Sequence, residues 1–390
     1  MNAGIILLTL AYVLSQFFRA FLAVLAPSLQ ADLGAGPETL AWASGLWFLS
    51  FAAMQIPVGW ALDTIGPRRT ASALLLVGGA GGATVFAMAT TPAHIAVAMA
   101  LIGVGCSPVL MASYYIFARQ YPARQFASMA ALVLAVGSVG NLIASYPMAL
   151  AAETLGWRAS LIGLAGASAL IAFGIWALVR DPPGVSDGAK GSLLDVLRIK
   201  ALWLILPLML VSYAPAGALR GLWIGPYLAD TFGLTTSQIG QASLVMGVAM
   251  IAGTMVYGPL DKVFGTRKWV VAAGNALACV SLGALILWHA DTPWLATVLL
   301  ATIGFFGASF PMIMAHGRGF FPAHLVGRGV TFLNLFGIAG VGAMQFISGR
   351  MHGNISQSGA GSPYPAIFIL FALALLAGLI LYVFSRDTTD

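Results

Sequence analysis

Charged residues are what this sequence has least of: Asp, Glu, Lys and Arg make up 8% of its 390 residues, against about a quarter in a soluble domain. Too little charge is present to cover a water-exposed globule of this size, so a soluble fold is excluded. Cysteine is almost absent as well. Cys106 and Cys279 both lie in apolar stretches, which argues against a disulfide framework or a metal site and reads as small core residues. None of the 12 acids falls deep inside an apolar stretch. There is no His-Glu-x-x-His and no buried aspartyl pair, and Ser107 and Ser309 have no histidine at a catalytic position, so intramembrane catalysis finds no support. No cofactor motif occurs.

What the chain does have is long apolar runs, among them Ile5–Ser28, Ala71–Ala89, Leu161–Val179 and Ile367–Phe384. Each matches the roughly 20 apolar residues that cross hydrocarbon as a helix. Barrel strands would alternate in polarity instead. Twelve spans are predicted, at about 5–29, 40–61, 69–90, 93–117, 125–152, 158–180, 202–229, 237–259, 269–289, 293–316, 328–349 and 363–385. The expected fold is an all-α membrane protein of two six-helix bundles, 1–180 and 201–390. A cytoplasmic linker, 181–200, joins them and carries the amphipathic run Leu193–Lys200. No basic region precedes the first run, which is therefore expected to be a retained helix.

Lysine and arginine sort by side when the N-terminus is placed inside. Fourteen fall inside: Arg68, Arg69, Arg119, Arg124, Arg180, Lys190, Arg198, Lys200, Lys262, Arg267, Lys268, Arg318, Arg328 and Arg386. Only Arg158 and Arg350 fall outside, and Arg19 and Arg220 within spans complete the 18. Both termini are thus expected in the cytoplasm, and the net charge of +6 reports topology rather than nucleic-acid binding. The brief loops suit a bacterial inner membrane.

The chain also repeats itself. Pro27, Gly34, Gly59, Gly66, Arg68 and Arg69 recur 199 residues later as Pro226, Gly233, Gly258, Gly265, Arg267 and Lys268. Pro122, Gly137 and Gly140 recur 200 later as Pro322, Gly337 and Gly340. Landmarks in this order indicate a parallel repeat of six spans, for which a solute path between the halves is expected.

Gly59-Trp-Ala-Leu-Asp63-Thr-Ile-Gly66-Pro-Arg68-Arg69, between spans two and three, resembles the signature loop of the major facilitator superfamily. Tyr257-Gly258-Pro-Leu-Asp261-Lys-Val-Phe-Gly265-Thr-Arg267-Lys268 is similar to its weaker copy, with the acid displaced by one residue. Glycines there permit tight turns and close helix approach, and Asp63 can face a positive helix N-terminus. The resemblance implies that this partner is span eleven, that the loops latch the halves in the outward-open state, and that the protein works as a monomer.

Ionisable groups inside spans point to the solute, because each costs about 2.5–3.5 kcal/mol at mid-helix. Arg19 in span one and Arg220 in span seven are such groups, each seven residues after a tyrosine, Tyr12 and Tyr213. Two helical turns put each pair on one face. Gln16 shares that face in span one, and Gly217 takes the matching place in span seven. The arginine pair is offset by 201 rather than 199, a slip that Pro215 and Gly217 can absorb by distorting the helix. No carboxylate lies at their depth, so an anionic small molecule is the natural counter-ion for two guanidinium forks. Superfamily exchangers of phosphorylated metabolites resemble this, with paired arginines on the same two helices. Asn141, Asn334, Gln345, Ser113 and Tyr114 are further wall candidates, or simply bond helices together. His316 is read as an interfacial residue facing headgroups, the one histidine close to a span. Rival readings are a soft-metal carrier using Met246, Met250, Met312, Met314 and His316, an organic-cation exporter, and a sensor.

Overall fold

The computed structural model describes residues 3–121, 123–182, 193–322, 325–359 and 361–388. Pro122, Lys190 and the linker stretch 183–192 lie outside the described residues, as do the side chains of Arg124 and Arg328. The described secondary structure is entirely helical. The chain divides into two compact units, Met1–Ser186 with Thr235–Gln241, and Asp187–Leu234 with Ala242–Asp390.

In the first unit, span one is a pair, α1 (Ala3–Phe18) and α2 (Leu22–Leu33), bent by 52°. Span two is α3 (Pro37–Ala53) and α4 (Gln55–Thr64). Span three is α5 (Pro67–Leu74), a π-helical turn (Leu75–Ala80) and α6 (Gly81–Ala87). Span four is α7 (Pro92–Cys106) and α8 (Val109–Gln120), span five α9 (Ala123–Ile143) and α10 (Tyr146–Leu155), and span six α11 (Trp157–Leu178). The second unit opens with α12 (Leu193–Leu197) and a 3₁₀ turn (Lys200–Leu204). Span seven follows in pieces: α13 (Leu206–Val211), α14 (Ala214–Ala218), a π-helical turn (Leu219–Trp223) and α15 (Ile224–Phe232). Then come α16 (Thr236–Phe264), α17 (Lys268–Leu287), α18 (Pro293–Gly307) with α19 (Phe310–Arg318), α20 (Val326–Ser358) and α21 (Tyr364–Val383). Among the described residues nine helices are long and apolar enough to cross a membrane, and two bent pairs raise this to 11. The twelfth segment is span seven, whose pieces are each too short alone.

Local chemistry explains the boundaries. Proline opens α3, α5, α7 and α18 at the first helical turn, where its missing N–H is no loss. The repeated Gly34 and Gly233 end α2 and α15 in the left-handed conformation, at φ 64° and 66°. In each, the next two amides return to carbonyls of the last turn, a closure that glycine adopts without strain.

The two units pack alike. Span one lies on span five and span three on span six; span seven lies on span eleven and span nine on span twelve. The repeated glycines are the contact points. A Cβ at Gly140 would sit 1.9 Å from the Val13 carbonyl oxygen, and one at Gly340 1.7 Å from that of Leu210. Outward, large apolar side chains stand exposed, such as Leu170, Trp176, Met255, Leu287 and Leu373. A surface of this kind belongs in lipid.

Candidate functional site

Arg19 falls in the bend between α1 and α2, where the helical ladder is interrupted. Its guanidinium lies over the rings of Trp47 and Phe51, 5.3 and 5.7 Å from their centroids, contacts that hold a cation inside an apolar wall. Three polar atoms of this region are buried without a hydrogen-bond partner: Arg19 Nε, Gln16 Oε1 and Trp47 Nε1. Buried polar atoms are satisfied in the great majority of cases, so two orphaned donors and an acceptor make this region a candidate site. Trp47 was not among the sequence candidates, because an indole N–H in an apolar span leaves no polar signature.

Arg220, 3% exposed, lies in the π-helical turn of span seven, a distortion found often at functional sites. Its guanidinium lies against α16 at Gly247, where an added Cβ would be 2.9 Å from Nη2. Gln345 Nε2 donates to the Ala218 carbonyl at 3.2 Å, and Trp223 Nε1 to Ser348 Oγ at 2.9 Å. Span eleven thus supplies partners to backbone and side chains of the broken span. The offset anomaly has a location: Arg19 precedes Pro27 by eight residues and Arg220 precedes Pro226 by six. The slip therefore falls between the arginine and the proline, beyond Pro215 and Gly217, which lie in the short α14 and do not absorb it.

The other candidates fall variously. Tyr12, 6% exposed, belongs to the core of the first unit and packs on Gly137, whose added Cβ would lie 2.2 Å from its ring. Tyr213 is half-buried against Phe310, with ring centroids 5.2 Å apart. Asn141 and Asn334 are half-buried on α9 and α20. Ser113 bonds the Val109 carbonyl of its own helix, and Tyr114 is half-buried on α8. Met246 and Met250 pack where a Cβ on Gly304 would meet them, as core side chains do. Among the described residues no group of three His, Cys, Asp or Glu is arranged for a metal. Ser309 accepts from Asn275 Nδ2, and Ser107 donates to the Val104 carbonyl.

Two histidine readings are corrected. His316 does not face headgroups; it is fully buried, with Nε2 bonded to the Arg386 carbonyl at 2.8 Å and Nδ1 to the Tyr382 hydroxyl at 2.7 Å. It clasps the C-terminal tail. Nor is it the one histidine close to a span. α20 runs past Arg350 to Ser358, so His352 is inside that helix and 7% exposed.

At the signature loops, Asp63 pairs with Arg119 of α8 at 3.6 Å, and Asp261 with Arg267 at 3.1 Å. Gly66 and Gly265 take φ 97° and 63°, which other residues resist. A Cβ at Gly59 or Gly258 would meet nothing within 4 Å, so close packing does not account for these two. Behind the loops is a repeated device. Asp181, after span six, accepts the Arg68 amide at 2.7 Å at the start of α5. Asp387, after span twelve, accepts the Lys268 amide at 3.0 Å and the Thr266 hydroxyl. Each carboxylate thus meets the positive end of a helix. Burial raises the Asp387 carboxyl, but the Thr266 hydroxyl and the amides of Lys268 and Arg267 outweigh it and hold the group below its ordinary value. The sequence signal was the Arg-Asp pair closing each repeat, Arg180-Asp181 and Arg386-Asp387.

The family model described as Major Facilitator Superfamily matches residues 8–223 and 209–390, together the length of both units. The chain is 22% identical over 97% of its length to the "Putative tartrate transporter" of Agrobacterium vitis, covering 93% of that protein. It is 25% identical to an MFS-type efflux pump of Mycolicibacterium smegmatis, over 97% of this chain and 91% of that one. To the hexuronate transporter of Escherichia coli K12 it is 24% identical over 77% and 76%. The crystal structure of a D-xylose-proton symporter superposes with a TM-score of 0.77 at 14% identity, covering 98% of both chains.

Proposed function

Because the chain belongs to the Major Facilitator Superfamily and is therefore a multi-pass membrane transporter, we propose that it carries a small anionic metabolite by alternating access, with Arg19 and Arg220 gripping the solute. The observation behind this reading is the orphaned set on the first unit. Arg19 Nε and Trp47 Nε1 donate, and Gln16 Oε1 accepts. A carboxylate answers the donors and a neighbouring hydroxyl answers the acceptor, which together describe a hydroxylated organic acid. Tartrate and hexuronates, the solutes named for two of the relatives, have this chemistry. Arg220 adds a buried guanidinium at the break in span seven, and Tyr12, Tyr213, Asn141 and Asn334 complete the walls in this proposal.

In the same reading the units 1–180 and 201–390 rock as bundles about the solute, joined by the 181–200 linker. The signature loops lie on the cytoplasmic side of a bacterial inner membrane, with both termini there, and the Asp63 loop latches on span eleven when the path opens outward.

A thermal-shift screen of the purified chain tests the solute class. The panel holds tartrate, glucuronate, phosphate, a sugar phosphate, an organic cation and Cu(I). An acid ligand at a hundredfold excess over its Kd stabilises the protein by about 2.7 kcal/mol. That gain should vanish in Arg19→Ala and in Arg220→Ala. Stabilisation by the cation or copper alone, or an undiminished response in both variants, overturns the anion reading.

A further inference from the structure

At the end of the second unit opposite its signature loop lies a cavity of about 270 Å³, lined by Asp230, Thr231, His289, His352, Ser356 and Tyr364 among others. Nothing in the anion reading uses it. Its walls come from α15, the loop after α17, α20 and the start of α21.

Two features set it apart from a gap between helices. Seven of its nine lining residues carry a polar side chain, and two of those residues hold an atom, His352 Nε2 and Thr231 Oγ1, that is buried without a hydrogen-bond partner. A buried imidazole nitrogen with no partner is destabilising unless the fold gives it something to bind. The imidazole is held in place. Its ring lies 5.4 Å from that of Trp223, tilted by 31°, and 5.6 Å from that of Tyr364. Trp223 is fixed in turn by Ser348, and the Tyr364 hydroxyl donates to Asp230 Oδ2. Asp230 and His352 thus flank the same tyrosine, one bound to its hydroxyl and the other against its ring.

The other titratable groups are accounted for. From α15, the Tyr227 hydroxyl donates to the His289 carbonyl. From the loop, His289 Nδ1 bonds the Ile286 carbonyl at 3.1 Å. From α21, Tyr364 is bound to Asp230. Arg350 and Asp291, the neighbouring charges in sequence, are exposed. Among the described residues no lysine or arginine lines the cavity, and Asp230 is the one full charge in its wall. Among the described residues no group of three His, Cys, Asp or Glu is arranged for a metal; the unpartnered imidazole nitrogen of His352 is a group that can take up a proton.

We propose that this cavity is a proton-binding site, in which His352 Nε2 takes a proton from solvent and Asp230 is its counter-ion. The proton comes from and returns to bulk water; no covalent bond other than N–H forms or breaks. The imidazolium then gains a donor that Thr231 Oγ1 and Ser356 can accept. In the proposed topology the cavity belongs to the external face, so the site reports external pH to spans seven, eleven and twelve. It is independent of which solute is carried.

Two measurements on the full-length chain in detergent test this. The first follows deuterium exchange at C2 of each histidine imidazole in the wild type by mass spectrometry, from about pH 4.5 to pH 8.5, the range around an ordinary imidazole. His352 should trace a single titration curve, and Asp230→Asn should displace its half-point. A flat, slow response at His352 overturns the proposal without any variant having to fold, and an unmoved half-point removes Asp230 from it. The second follows tryptophan emission against pH, because an imidazolium stacked on Trp223 quenches it. The step should disappear in His352→Gln and in Trp223→Phe and persist in His289→Gln. Persistence in His352→Gln with loss in His289→Gln overturns the assignment.

Discussion

The two units finish differently at the ends remote from their signature loops, although they begin from the same clamp. In the first, the Trp157 indole donates to Asp32 Oδ2 at 2.7 Å; in the second, the Tyr364 hydroxyl donates to Asp230. Each time the first aromatic of the last span ties the acid that ends the first. Beyond that point they part. Arg158 lies 4.1 Å over Trp157 and donates to the carbonyls of Ala87 and Ala89 at 3.0 and 2.7 Å. A permanent cation therefore seals the end of α6. The second unit has Pro365 after its aromatic, no such cation, and two histidines around a cavity. Duplication kept the parts that hold helices together and left the ends free to diverge, one toward fixed charge and one toward a titratable group.

That comparison is sharpest where the units should respond alike. Gly140→Ala and Gly340→Ala each press a methyl into backbone of the partner span, and each should cost about 3 kcal/mol, read as loss of folded protein in fluorescence-monitored melting. A large loss in one and none in the other would show that only one bundle uses the close approach. Arg158→Leu comes next, at about 2 kcal/mol, because two carbonyls lose a charged donor. Leucine at Pro365 should have no comparable effect, and equal effects would erase the contrast between the ends. Smallest are the helix caps, with Asp181→Asn and Asp387→Asn costing about 1 kcal/mol each. For Asp387 the sign follows from its lowered carboxyl. The cap contributes fully above the ordinary value of 3.8 and is lost as pH falls below it. Melting temperature should therefore drop on that acid limb, less so in Asp387→Asn.

Much of this was legible because hydrophobicity and glycine spacing are local. Twelve spans, the repeat and the arginine pair all appear in the residue order. What escaped depends on chain segments meeting far along the sequence. Asp181 reaches across 113 residues to Arg68, and Asp387 across 119 to Lys268. His352 was lost because Arg350 closed the apolar window while the helix itself continued to Ser358. His316 looked interfacial from its flanks, since nothing before folding says that the tail after span twelve returns to cover it. Trp47 was invisible for a different reason: an orphaned indole nitrogen is a fact of packing, not of composition.

The bend at Arg19 has a mechanical meaning. A guanidinium carried at a joint is the tip of a short lever whose arm is about 6 Å, the radius of a helix with its side chains. Opening or closing the 52° angle of span one by roughly 10° would swing that tip by about 1 Å, enough to change a well-aligned contact about a hundredfold. Under the proposed function, the hold on a solute and the shape of the span that carries Arg19 are then one variable.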